Sequence, residues 1–210
     1  MKNNVCKICR RVGDKLFLKG EKCSSPKCPL LRKPFPPGKT GKKQSIINLS
    51  EFGKEWRETQ KLKKTYDLSE EQFRKIVKDS FKKIGKEDIS KLLIKKLEKK
   101  LFNVLYRIGL SSSRRGAKQL ISHGHFLLNG KKVDVPLIEV KIKDEIKLKE
   151  KSKNSNYFKK VINAIKKNSN IPSWLSFDAE KIIIKIVSEP EIEDVEKKVD
   201  IPSILSFYNR

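Results

Sequence analysis

Residues 97–132 read LEKKLFNVLYRIGLSSSRRGAKQLISHGHFLLNGKK. In the first half, Leu97, Leu101, Val104, Leu105 and Ile108 recur at helical steps and make one apolar face of a helix. Lys96, Lys99, Lys100 and Arg107 recur on another face. Gly109 stops that helix, and Ser111, Ser112 and Ser113 offer N-caps for the next. The second helix is short. Ala117, Leu120 and Ile121 point inward, which leaves Arg114, Arg115 and Lys118 free to meet solvent or a polyanion. His123-Gly124 ends it. Phe126-Leu127-Leu128 reads as a strand turned by Asn129-Gly130, a two-residue hairpin signal, with Lys131 and Lys132 beside the turn. Two small helices and a hairpin thus bring Arg107, Arg114, Arg115, Lys118, His125, Lys131 and Lys132 into one neighbourhood. From Lys91 to Lys118 there are nine basic residues and one acid, Glu98, a bias beyond the needs of solubility.

The whole chain shares that bias. Its 210 residues carry 50 Lys and Arg against 25 Asp and Glu, a net charge of +25. Such an excess strains a compact fold by self-repulsion unless a polyanion neutralises it, and nucleic acid is the leading candidate. A membrane surface is the rival polyanion, but no apolar run approaches the ~18 residues of a spanning helix and no amino-terminal signal peptide is visible. A cytosolic chain with reduced cysteines is expected.

All four cysteines lie in the first 28 residues, as Cys6-Lys7-Ile8-Cys9 and Cys23-Ser24-Ser25-Pro26-Lys27-Cys28. Two close pairs across a short loop suit a tetrahedral thiolate site, with zinc the first choice and an iron–sulfur cluster the alternative. Lys7, Arg10, Arg11, Lys22 and Lys27 would ease thiolate formation. The loop between the pairs reads as a knuckle too small to hold itself together by burial.

Pro29–Gly41 reads as an extended, turn-rich linker. Gly38-Lys39-Thr40 hints at a phosphate loop, but that pattern needs glycine where Lys33 stands and a strand where Pro34 to Pro37 lie, so nucleotide binding is rejected. Glu51–Tyr66 reads as a helix with Lys54, Arg57, Lys61 and Lys64 as a second basic stripe. Ser69-Glu70-Glu71-Gln72 is a capping box that opens a helix with Phe73, Ile76, Val77, Phe81 and Ile84 on its core face, closed by Gly85. Asp88 is placed to cap the next helix. Val140–Leu148 alternates apolar and polar across a Lys-Asp turn and predicts a second hairpin. Residues 150–156 read as a polar connection and Tyr157–Lys167 as a helix. Trp174 reads as a packing anchor and Ile182–Val187 as a short apolar run. Residues 189–200 carry six acids and two lysines and are expected to face away from RNA or toward a basic protein. Ile201–Tyr208 is apolar enough to dock back on the body.

The central block resembles the alpha-L RNA-binding motif. The matching residues are Tyr106-Arg107-Ile108-Gly109, Ser113-Arg114, Ala117-Lys118-Gln119-Leu120-Ile121, His123-Gly124-His125 and Asn129-Gly130-Lys131. Several kinds of RNA-binding protein share that module. The remaining pieces, in order, resemble the bacterial ribosomal protein S-four family: the four cysteines, Pro36-Pro37-Gly38, Arg57-Glu58, Gln60-Lys61-Leu62 with Tyr66, Leu68-Ser69-Glu70 with Gln72-Phe73, Pro172 with Trp174-Leu175, and Phe207-Tyr208-Asn209-Arg210.

The resemblance spans Cys6 to Arg210 and implies an α+β protein with a discontinuous helical body. It implies a metal-binding knuckle and linker (1–41), the first part of the helical body (42–94), an inserted alpha-L domain of two short helices and a small antiparallel sheet (95–156), and a carboxy-terminal return to the body (157–210). The implied zinc ligands are Cys6, Cys9, Cys23 and Cys28. The implied RNA contacts are Lys54, Arg57, Lys61, Lys64, Lys96, Lys99, Lys100, Arg107, Ser113, Arg114, Arg115, Lys118, Gln119, His123, His125, Asn129, Lys131 and Lys132. The implied partners are small-subunit ribosomal RNA at the five-way junction of its five-prime domain, neighbouring small-subunit proteins, and messenger RNA near its path into the subunit. No membrane or small-molecule substrate is implied. The implied role in the cytoplasmic ribosome is to nucleate subunit assembly and contribute to decoding accuracy. Three departures stand out. Phe102 replaces a usual Asp, Thr59 replaces a usual Lys, and Gly116 is expected to weaken its helix by roughly 0.5–1 kcal/mol against Ala.

Three other readings compete. Alpha-L modules are also attached to pseudouridine synthases and to a tyrosyl-tRNA synthetase, but this chain has no room for a catalytic domain and no Ser/His/Asp set, carboxylate pair or nucleotide loop. A stress-related RNA-binding module would lack the cysteines and the flanking helices. A zinc-dependent DNA binder would prefer duplex DNA to an RNA junction.

Overall fold

The chain folds as two units, Met1–Ser90 with Lys197–Arg210, and Lys91–Glu196. A computed structural model describes residues 5–38, 50–82, 88–167, 171–191 and 199–209. The first helices are α1 (Val5–Val12), α2 (Glu21–Ser24), α3 (Pro29–Arg32), α4 (Glu51–Thr65) and α5 (Glu70–Phe81). Next come α6 (Ile89–Glu98), α7 (Leu101–Ile108) and α8 (Arg114–Ser122), then β1 (Phe126–Leu128), β2 (Lys131–Val133) and β3 (Glu145–Leu148). The remainder is α9 (Glu150–Lys153), α10 (Asn156–Lys167), β4 (Leu175–Asp178), β5 (Ile183–Ile186) and α11 (Ile201–Tyr208). This is the expected mixture of helices and antiparallel sheet.

In the first unit, α1 has a small core of its own: Cys9, Leu16 and Leu18, with Val5, Ile8 and Val12 packed on it. Burial therefore supports a segment expected to depend on metal alone. The linker expected from Pro29 begins as the helical turn α3, with Pro29 at its first position, where no N–H is needed; residues 39–41 lie outside the described residues. The capping box of α5 forms in full: Ser69 Oγ accepts from Gln72 N at 3.2 Å, and Ser69 N donates to Gln72 Oε1 at 3.0 Å. Ile84 and Gly85 lie outside the described residues. The docking of α11 on α4 brings Phe207 within 5.5 Å of Phe52 and Ser206 Oγ within 3.0 Å of Glu55 Oε1. Tyr208 donates to Glu70 at 2.6 Å, and Glu70 also pairs with the buried Lys63. Burial, then that bond to Glu70, pushes the Tyr208 phenol well above its ordinary range.

In the second unit the single helix expected across 97–108 is broken. Lys100 is extended (φ −71°, ψ 133°) and bridges Glu139. Val140 N donates to Lys99 O at 2.9 Å and Leu101 N to Ile138 O at 2.9 Å. A distant segment takes backbone groups that a continuous helix would have used, which the local apolar period could not reveal. The same pairing overturns the second hairpin expected over 140–148, because residues 141–144 form a turn and β3 finds partners elsewhere. The sheet is antiparallel with order β2-β1-β3-β5-β4. Phe126 faces both Val133 and Leu148, and Ile146 faces Ile184, so alternate positions meet on one buried face. Because β4 and β5 complete this sheet, residues 157–196 belong to the second unit, and the return to the first begins at 197 rather than 157. Residues 150–153, expected as polar connection, form α9. Trp174 is buried, as the packing reading requires.

Gly116 reverses an expectation. A Cβ there would stand 2.5 Å from Ser111 Oγ and 3.2 Å from Ser113 Oγ. The helix start is folded so tightly under the serines that Ala would collide.

Candidate nucleic-acid interface

Two arginines expected on the surface are inside. Glu98 is fully buried, and Arg107 grips it with both forks, Nε to Oε2 at 2.8 Å and Nη2 to Oε1 at 2.9 Å. Asn103 Nδ2 donates to Glu98 Oε2 at 2.7 Å, and Asn103 Oδ1 accepts from Arg114 Nε at 2.8 Å. Arg114 is 5% exposed and its guanidinium stands 4.3 Å from the centre of the Tyr106 ring. A single buried carboxylate thus binds α6, α7 and α8 together through charge-assisted bonds. Arg107 and Arg114 position the interface; this corrects their expected exposure. Ser113 also turns inward, as the N-cap of α8 that accepts from Gly116 N at 3.1 Å. Asn129 pins the hairpin turn, with Nδ2 to Asp144 Oδ1 at 2.8 Å and Oδ1 accepting from Glu145 N at 2.9 Å. Asn129 and Gly130 have φ of 49° and 81°, the left-handed pair such a turn requires.

What remains outward is a basic surface on α8 and the β1–β2 hairpin. Arg115, Gln119, His123, Lys131 and Lys132 are exposed, and Lys118 and His125 are half-buried. Lys118 lies 4.6 Å from the centre of the buried Phe102 ring. Phe102 is therefore core, beneath the interface rather than on it. Near Gly124 the Lys132 and Lys149 ammoniums stand 3.5 and 3.8 Å from where a Cβ would sit, so both converge on that turn. His125 Nδ1 lies 2.9 Å from Ser152 Oγ, and its ring centre is 6.0 Å from that of His123. Burial, with the nearby His123 and Lys149, lowers its pKa from the ordinary imidazole value. Lys149 was not among the expected contacts. The alternation that buries Ile146 and Leu148 held the signal, but its convergence with Lys132 needs the pairing of β1 with both β2 and β3.

Other expected cations are engaged within the protein. Glu189 pairs with Lys95 at 2.8 Å and Lys99 at 3.4 Å, and Lys100 pairs with Glu139 at 3.5 Å. Lys96 is half-buried. Thus the acidic segment, expected to face away from RNA or toward a basic protein, begins by meeting lysines of its own chain; residues 192–198 lie outside the described residues. On α4, Arg57 Nε donates to Val12 O at 3.2 Å and Lys61 pairs with Asp14 at 3.0 Å, so both tie α4 to the end of α1. Lys54 remains exposed and Lys64 half-buried on that stripe. Thr59 is fully buried.

Burial raises the Cys9 pKa, a backbone hydrogen bond at Leu16 opposes this, and Cys23, Cys6 and Cys28 add to the rise through space. Lys19 N lies 3.4 Å from Cys23 Sγ and donates to it. Cys9, Cys23 and Cys28 are buried and Cys6 is half-buried, all as free thiols. Among the described residues, no group of three or more His, Cys, Asp or Glu stands close enough to hold a metal ion. The expected metal knuckle is thus not formed as a metal group; the segment is held by the apolar core around Cys9, Leu16 and Leu18. No helix among the described residues is long and apolar enough to cross a membrane.

Two family models match the chain, meeting at the break between α6 and α7. A family model described as the ribosomal protein S4/S9 N-terminal domain matches residues 1–98, and one described as the S4 domain matches residues 99–146. The small ribosomal subunit protein uS4 of Thermus thermophilus is 41% identical over 206 residues, covering 98% of this chain and 97% of that protein. Its namesake in Kosmotoga olearia is 42% identical over 206 residues, with 98% and 97% covered. That of Clostridioides difficile is 41% identical over 206 residues, with 98% and 96% covered.

Proposed function

The chain belongs to the uS4 family of small ribosomal subunit proteins, and on that premise we propose that it binds small-subunit ribosomal RNA as a structural, non-catalytic component of the cytoplasmic ribosome, beside neighbouring subunit proteins. One observation carries this reading: Arg115 on α8 and Lys131 and Lys132 on β2 are exposed and form no ion pair with a described residue, while Arg107 and Arg114 are spent on holding the helices. Cations left unpaired on a rigid surface neutralise phosphates and release counterions, which drives binding; the fixed spacing of the surface selects a shape of RNA.

The finer reading follows the family resemblance. The RNA target is the five-way junction of the five-prime domain, bound early enough to nucleate assembly, with messenger RNA close by and an influence on decoding accuracy. Its contacts are Arg115, Lys118, Gln119, His123, His125, Lys131 and Lys132, joined by Lys149 and, on α4, by Lys54 and Lys64. The test is binding of the purified protein to the junction RNA and to random duplexes of RNA and DNA at physiological salt, with cross-linked nucleotides mapped in ribosomal particles. Preference for the junction is expected. Equal affinity for random duplex would end the proposal.

Cys6, Cys9, Cys23 and Cys28 are proposed to hold a zinc ion. Support comes from the donor chemistry, since two close cysteine pairs across a short loop suit zinc, and from the Lys19 amide that already donates to the Cys23 sulfur. The ion would brace a segment whose own core is small. Intact-protein mass spectrometry is expected to find one zinc that a chelator removes, with amide exchange rising in residues 5–38. A native protein free of metal would overturn the assignment, and iron with sulfide would replace it by a cluster.

A further inference from the structure

A second cationic site lies on the first unit, apart from the surface described above. A pocket of about 310 Å³ is lined by Cys6, Lys7 and Arg10 of α1, by Pro29 and Arg32 of α3, and by Lys33. Four of these six residues are cations and none is an acid. None of the four forms an ion pair with a described residue. At Lys61–Asp14 and Lys95–Glu189 the fold offsets cations with acids. Here it concentrates like charge in a concavity and leaves it uncompensated, which opposes folding until an anion enters.

Arg10 is also held in place. Its Nε donates to Lys33 O at 3.0 Å and to Phe35 O at 2.9 Å, and its guanidinium lies 5.1 Å from the centre of the Phe35 ring. The two carbonyl bonds occupy only Nε. The terminal nitrogens make no hydrogen bond to a described residue, so a fixed two-pronged donor is left for a ligand. Such a fork suits the oxygens of a phosphate, and a side chain already immobilised loses little further freedom on binding. Lys7 and Arg32 are exposed and add mobile charge at the rim.

We infer that the pocket between α1 and α3 binds a phosphate group, with Arg10 as its fixed fork and Lys7, Arg32 and Lys33 around it. The phosphate belongs either to an RNA backbone, which rests on the ribosomal-RNA reading above, or to a free inorganic ion; the chemistry recognised is the same.

The test uses the full chain as purified and the double variant Lys7→Gln/Arg32→Gln, with Lys75→Gln/Lys78→Gln on α5 as a control of equal charge loss. One arm measures binding to five-prime domain RNA across a salt series. The pocket variant is expected to bind about tenfold more weakly and to flatten the log–log salt slope by about 0.9 for one lost phosphate contact, while the control keeps the wild-type slope. The other arm follows amide chemical shifts with inorganic phosphate at constant ionic strength. Shifts in residues 5–38 of the wild type, absent in the pocket variant, with RNA binding unchanged, would assign the site to free phosphate. The proposal is overturned if the folded pocket variant matches wild type in both arms, or if the control loses RNA binding equally and phosphate shifts nothing. If the double variant unfolds, Lys7→Gln alone carries both arms. Should the wild type prefer no RNA, the ribosomal reading fails while the phosphate arm still reports on the pocket.

Discussion

Arg114 and Arg115 are adjacent in sequence and opposite in role. Arg115→Ala is expected to weaken RNA binding and leave the unfolding midpoint in place. Arg114→Ala strips a donor from the buried Asn103 and a cation from the Tyr106 ring, which should cost about 1–3 kcal/mol of stability. Denaturant unfolding and RNA titration of both variants check this, and equal stability loss at the two positions would refute the division. His125 gives a pH dependence. Its pKa is lowered in the fold, first by burial and then by His123 and Lys149, so the unfolded chain takes up the proton first. The stability it contributes is fully present above about pH 6.5 and is lost as pH falls through the depressed value. The midpoint difference between wild type and His125→Gln, followed from pH 8 to pH 5, should shrink accordingly. Basic character at these positions was legible in the sequence. Which cation turns inward was not, because the partner that draws Arg114 in is Asn103, a full helix earlier in the chain.

At the scale of elements, local chemistry was a good guide wherever an element is decided by its neighbours in sequence. The capping box of α5, the Ser113 cap of α8 and the Asn129-Gly130 turn form as their residues dictate. It failed where remote backbone competes: the apolar period runs through Lys99 and Lys100, yet residues 136–140 take the Lys99 carbonyl and the Leu101 and Phe102 amides and split α6 from α7. Phe102, at the start of α7, is wholly buried. Phe102→Ala is expected to cost about 3–5 kcal/mol in a denaturant titration, and a loss below about 1 kcal/mol would mean that α7 and α8 do not close over it. Lys118, over that ring, would then lose its seat, so RNA affinity should fall as well.

For the molecule as a whole, the net charge of +25 sets two opposed responses to salt. Screening relieves self-repulsion in the free protein and weakens its hold on RNA. Thermal midpoints of the free chain should therefore rise between low and moderate ionic strength while RNA affinity drops; parallel changes would mean that phosphate neutralisation does not drive binding. Composition, the caps and the motif block were enough for the chain's class and most of its helices, because these depend on residue type and on spacings within one or two turns. Only the tertiary structure decided which cations Glu98, Asp14 and Glu189 consume, where the central helix breaks, that β4 and β5 join the same sheet as the hairpin, that Lys149 meets Lys132 near Gly124, and that the Arg10 pocket forms. Each of those depends on groups brought together from distant parts of the chain, and no local pattern encodes the distance between them.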